Sequence, residues 1–209
     1  MTGYRAGRPR LAIAVSGILF SVAMLTAGCI STSPAPAPAP TPPPSPSPTP
    51  SSSSSPALAR VHDPGRVTGT ITGPCHTVGQ LPDPRCTPGA VDPAVTQTDI
   101  RSTICKLGYT ARVRPPVAET DIFKRAAYVA YGIPRGTISE LDHRVPLELG
   151  GANDALNLWP EVGNVPNLKD HVENVLHSAV CSGKVTLTAA QLAVAADWQT
   201  AIQNLGLRS

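Results

Sequence analysis

The chain has 209 residues, 24 of them proline, and carries 17 Lys/Arg against 14 Asp/Glu. That much proline argues that part of the sequence never packs, so one folded domain is expected rather than two. Three of the 17 basic residues (Arg5, Arg8, Arg10) sit in a removable leader, leaving 14 against 14; the basic pI therefore does not by itself argue for a nucleic-acid partner.

Residues 1–28 read as an export signal: a basic start, an apolar run from Leu11 to Leu25, then small residues. The run is short of the roughly 20 apolar residues that span a bilayer as a helix. Its end, Leu25-Thr26-Ala27-Gly28-Cys29, resembles a bacterial lipobox, with Thr26 where that pattern prefers leucine. The resemblance implies lipidation of Cys29 and a membrane-anchored protein at the cell surface, with plain secretion as the alternative. Residues 29–56 are nearly all Pro, Ala, Ser and Thr, with nothing to bury. They are expected to form a semi-rigid, polyproline-like stalk.

The folded part runs from Ala57 to Ser209, enough for one core. Residues 57–95 are rich in Gly, Pro, Thr and Asp and read as a loop-rich extension with a short strand near Arg66–Ile71; residues 96–209 form the main domain. Cys75, Cys86, Cys105 and Cys181 remain after the leader. An even number in an exported chain predicts disulfides, Cys75–Cys86 locally and Cys105–Cys181 across the domain. No Cys-x-x-Cys pair occurs, and no structural zinc is expected.

A short helix is predicted over Thr98–Leu107. A firmer one is predicted over Thr120–Tyr131, capped by Thr120, with Ile122, Ala126, Val129 and Ile133 as its apolar stripe. Thr137–Val145 and Leu156–Pro160 read as two strands of a hairpin, Pro160 keeping the second from the centre of a sheet. A helix over Asn167–Val180 is expected to bury Leu168, Val172, Val175, Leu176 and Ala179, with Lys169, Asp170, Glu173, Asn174 and His177 mostly outward. Asn167, His171 and Val175 share one ridge at the margin of that face. A capping box of Thr188 and Gln191, with Leu187 and Leu192 as a staple, opens the last helix, which runs to about Asn204. Trp159 and Trp198 are expected in the core.

The chemistry concentrates at Glu140-Leu141-Asp142-His143-Arg144-Val145-Pro146. A carboxylate and an imidazole at successive strand positions point to opposite faces unless the backbone turns. A Gly150-Gly151 loop follows, and Asn157 comes 14 positions after His143, placed to bridge the loop. From Arg101 to Arg144 eight Lys/Arg face four acids, a bias that could meet phosphates or be plain solvated charge.

Asp142-His143, Pro146-Leu147, Gly150-Gly151-x-Asn153 and Asn157-Leu158, over residues 137–180, resemble the HNH nuclease motif. That resemblance implies an α+β fold whose ββα-metal core is packed by further helices and stapled by disulfides. It implies that His143 is the general base, that Asp142 ligates one divalent ion, and that Asn157 orients the loop or the imidazole. Asn167 takes the place of the family's third residue as second ligand, with His171 one turn on as the competitor. An oxygen-rich site favours Mg2+ or Mn2+, and recruitment of His171 would favour Zn2+ or Ni2+. Glu140 and Glu148 flank the motif as supporting or merely solvated charges. The substrate implied is nucleic acid, DNA ahead of RNA, cut by a monomer that touches membrane only through its lipid and needs no protein partner. The competing readings are a non-catalytic, disulfide-stapled binding module on the same scaffold and, last, a wall-polymer hydrolase using Glu140 or Glu148 with Asp142.

Overall fold

A computed structural model describes residues 57–63 and 65–208. The leader, Cys29 and the proline-rich stalk lie outside the described residues. Among the described residues the fold mixes four helices with two two-stranded sheets. None of these helices is long and apolar enough to cross a membrane.

The 57–95 segment is loop-rich but well tied in. Its strand β1 (Ala59–Arg60) pairs in parallel with β2 (Ala90–Val91). No strand forms over residues 66–71, where Thr68 makes an isolated bridge to Asp154. The expected helix over Thr98–Leu107 is absent as well. Asp99 O accepts from the backbone N–H groups of Ser102 and Thr103 and from both hydroxyls, so side chains compete with helical bonding and the chain stays in turns. Helix α1 is a single short turn, Tyr109–Val113.

Helix α2 spans Val117–Ala130 and starts three residues before Thr120, directly after Pro115-Pro116. Proline presets the entry, and the Thr120 hydroxyl bonds back to Val117 O instead of capping. Its buried face is Phe123, Ala127 and Ala130. Within the helix the stripe expected from periodicity faces outward instead, with Ile122 63% and Val129 84% exposed, and only Ile133, past its end, packs against the core. Both rows have helical spacing, but only the Phe123 row meets Ile71, Cys75, Leu158 and Trp159 in a buried cluster.

Strands β3 (Ser139–His143) and β4 (Leu158–Val162) form an antiparallel hairpin in which Glu140 pairs with Glu161, Asp142 with Trp159 and His143 with Leu158. Both are shifted from their expected limits, and β4 runs through Pro160, tolerated because the sheet has only two strands. Helix α3 (Leu168–Cys181) follows, capped by Asn167 in a reciprocal box with Asp170. It buries Lys169, Val172, Leu176, Ala179 and Val180, while Leu168 is exposed. Helix α4 (Leu187–Asn204) is capped by Thr186, not Thr188, and breaks its helical geometry at Asp197. Gln191 does not close a capping box; it is buried and donates to Leu149 O at 2.8 Å.

The larger core joins Val145, Leu149, Val172, Leu176, Val194 and Trp198. Trp198 is a core residue as expected, its indole donating to Gln80 O at 3.0 Å. Both disulfides form: Cys75–Cys86 with Cα atoms 6.0 Å apart and Cys105–Cys181 at 5.6 Å. They indicate an oxidising environment.

Candidate functional site

The hairpin's long connection is held by one side chain. Asn157 is fully buried, and its Oδ1 accepts from Val145 N at 2.9 Å and Ala90 N at 3.2 Å. Its Nδ2 donates to Val145 O at 2.9 Å and Ala152 O at 3.0 Å. All four hydrogen-bonding capacities of the amide are used: three close residues 145–157 into a loop and the fourth ties that loop to Ala90 of β2. The loop can close this tightly because residue 151 has no side chain: a Cβ there would lie 1.7 Å from Val145 O. Asn157 thus orients the loop and does not touch the imidazole.

Strand alternation then sorts the chemical groups. Glu140 and Asp142 share one face of β3, and their cross-strand partners Glu161 and Trp159 share it with them. Oxygens of Glu140, Asp142 and Glu161 all lie within 4.8 Å of one another. The first turn of α3 covers this group. Asn167 uses its Oδ1 to accept from Lys169 N and Asp170 N, which leaves Nδ2 to donate to Glu140 and, at 3.2 Å, to Glu161.

Lys169 completes the arrangement. It is 1% exposed, and its ammonium reaches Asp142 Oδ2 at 2.8 Å, His143 O at 2.8 Å and the Glu173 carboxylate. The ammonium contact is the partner of the otherwise enclosed Asp142 Oδ2, a buried ion pair rather than an exposed one. Burial alone would lower the Lys169 pKa; the charges of Asp142 and Glu173 raise it instead. Burial is the largest single influence on Asp142 and opposes its ionisation, but Lys169 and the hydrogen bond from Glu161 together outweigh it and hold that carboxyl low. Glu161 goes the other way, pushed up to about 9 by burial and by its hydrogen bond to Asp142 and that group's charge. Glu140 is also raised, by burial and then by Asp142 and Asp170.

His143 points away from this group and is 8% exposed. Its Nε2 lies 2.8 Å from Asn153 Oδ1. Burial lowers its pKa more than Asn153 and Asp142 raise it, which disfavours the imidazolium form. It borders a hollow of about 290 Å³ together with Arg114, Lys124, Asp121 and Glu140. A second hollow of about 490 Å³ lies against Glu161, Asn167 and Trp159. Glu140 borders the first hollow and belongs to the carboxylate group.

The structure therefore brings Asp142 and Asn167 together, places His143 on the reverse face, and sets Asn157 apart as the loop clasp. Asn167 is a corrected case: its oxygen is committed to the helix cap, and an amide nitrogen does not ligate a cation. His171 is exposed on α3 and lines a separate hollow with Asn174, Lys184 and Arg208, because the ridge through Asn167 winds it out to solvent. Lys169, expected to face outward, is the most buried charge of the site. Sequence reasoning missed Glu161, although drawing the hairpin register puts it opposite Glu140; it gave Glu140 only a flanking part, had Asn153 only as the last residue of the Gly-Gly-x-Asn loop, and nothing local marks the burial of Lys169.

Three carboxylates drawn into one cluster, with the Glu161 carboxyl pushed up to about 9 by burial and by Asp142, are what a hard cation would relieve. The all-oxygen donor set fits Mg2+ or Mn2+. Compared with known proteins, the chain matches no family model, no curated protein and no solved structure.

Proposed function

We propose that the chain is an exported, metal-dependent endonuclease that hydrolyses phosphodiester bonds in DNA ahead of RNA, with β3, β4 and α3 serving as a ββα-metal core like that of HNH nucleases. The observation that carries this reading is that β3 bears an oxygen cluster on one face and a buried imidazole on the next residue. Glu140, Asp142 and Glu161 hold one divalent ion, which when bound supplies Lewis-acid stabilisation of charge on the phosphate. Asn167 steers two of these carboxylates, and Lys169 keeps Asp142 ionised. His143 takes the proton of the attacking water. Arg114 and Lys124, beside the His143 hollow, neutralise the substrate's phosphates. The substrate strand runs along the β3 edge, where Glu140 borders both groups.

The two disulfides agree with work outside the cytoplasm; anchoring through a lipid on Cys29, and action as a monomer, belong to the same proposal. The test is cleavage of plasmid and of RNA by the purified chain with Mg2+, Mn2+, Ni2+ or Zn2+. His143→Ala is expected to lower the rate by about 10²-fold or more while metal binding stays. Intact nucleic acid under all four ions would overturn the enzyme reading. Absence of any metal binding as well would favour the second reading, a disulfide-stapled surface module, for which the burial of His143 speaks.

A further inference from the structure

His143 is tied to a residue far away in sequence. Its Nε2 meets Asn153 Oδ1, and Asn153 is fully buried. The Asn153 amide nitrogen donates to Asp63 Oδ1 and to Val113 O, both at 2.8 Å. A carboxylate and a carbonyl only accept, so these two partners fix which end of the amide is nitrogen and aim its oxygen at the ring. An amide oxygen in turn only accepts. The Nε2 of His143 must therefore carry the proton of the neutral ring, and Nδ1 is the nitrogen with the lone pair. Asp63, itself buried, grips Asn153 twice, since its Oδ2 also accepts from Asn153 N at 2.8 Å. Its position is set locally by Gly65 N, which donates to Oδ1 at 3.0 Å.

From this chain of bonds we propose that Asn153 and Asp63 are positioning residues for His143: together they lock its tautomer and direct Nδ1 outward as the working base. The arrangement has the logic of a base oriented by a hydrogen-bonded partner that is itself oriented by a carboxylate. A tautomer with Nε2 bare would aim its lone pair at an oxygen lone pair, so the competing form is penalised in the folded protein. The assignment rests on the reading of His143 as general base for its use, but not for its geometry. It gives the 57–95 segment a part in the site, because Asp63 comes from the stalk side of the domain. A chain beginning at residue 96 would keep Asp142, His143 and Asn157 and lose the residue that holds Asn153 in place.

The test uses the full exported chain with nitrogen-15-labelled histidine, at a pH well above the ordinary histidine range. NMR of the His143 ring nitrogens is expected to find Nε2 protonated and Nδ1 bare in the wild type. The reverse tautomer, or an even mixture, would overturn the proposal without any variant being made. Asn153→Ala and Asp63→Asn are expected to shift the ring towards a mixture. They are also expected to lower kcat of nucleic-acid cleavage by about 10- to 100-fold with KM within about twofold, as for loss of base orientation. A folded Asn153→Ala protein with the wild-type tautomer and kcat would sink it. If the wild type cleaves nothing, the nuclease reading fails, while the tautomer of wild type and variants still decides the positioning.

Discussion

Lys169 Nζ lies 2.8 Å from Asp142 Oδ2, and this pair joins the first turn of α3 to the strand that bears His143. The ammonium is as enclosed as any aliphatic core residue, so it must be matched by charge. Replacing Lys169 by Met keeps the volume but leaves Asp142 and Glu173 facing each other without a counter-charge. The expected cost is about 3–5 kcal/mol, the range for breaking a buried pair from one side. Urea unfolding checks this, and Asp142→Asn added to Lys169→Met is expected to recover part of the loss.

Glu161 gives the metal-free protein a pH dependence of known sign. Its folded pKa, about 9, stands above the ordinary value of 4.5. The folded state therefore keeps a proton that the unfolded chain releases. This contribution to stability is complete below the ordinary value and is withdrawn as pH rises towards 9. Thermal unfolding in chelator is expected to show Tm falling over that window in the wild type. In Glu161→Gln the fall should be smaller and Tm at the alkaline end higher. The same variant is expected to lose most of the Tm increase that Mg2+ or Mn2+ gives the wild type.

The loop clasp is intolerant in a specific way. Asn157→Asp is nearly isosteric but cannot donate to Val145 O and Ala152 O, and it adds a buried charge. Gly151→Ala drives a methyl into Val145 O. Each is expected to destabilise by about 3 kcal/mol or more, as for two lost buried hydrogen bonds or gross overpacking. Denaturation midpoints of the two variants check the expectation, and a Gly151→Ala protein as stable as wild type would refute it.

How much of this was legible in the sequence depended on range. The disulfide pairs, the hairpin and the helix after it, and the loop-closing part of Asn157 follow from local pattern and cysteine arithmetic. The α2 face did not, because Ile122-Val129 and Phe123-Ala127-Ala130 satisfy the same period and only the partner surface chooses between them. Lys169 was hidden because a charged residue in a first helical turn is ordinarily solvated, and its burial is explained by Asp142, 27 positions earlier. Asn153 and Asp63 are 90 positions apart, and nothing short of the folded chain puts one against the other.

The two disulfides should differ in worth. Cys105–Cys181 closes 76 positions and Cys75–Cys86 closes 11. Chain entropy predicts losses of about 4.5 and about 3 kcal/mol for their paired serine variants. The larger effect is expected for the bridge that ties α3 to the turns before α1, measured by urea unfolding under non-reducing conditions.

The two-residue strand β1 has a consequence for the proposed surface-anchored nuclease. It is held by Ala59 N donating to Gly89 O at 3.2 Å and Val61 N donating to Val91 O at 3.0 Å. Asp63 follows two residues later. A protease cutting before residue 57 would shed a domain whose His143 is still aligned. One trimming past residue 63 would leave both disulfides and the buried members of both core clusters in place, yet leave the Asn153 amide nitrogen only its bond to Val113 O. On the proposed reading, residues 57–63 thus decide whether a fragment freed by proteolysis is active or merely folded.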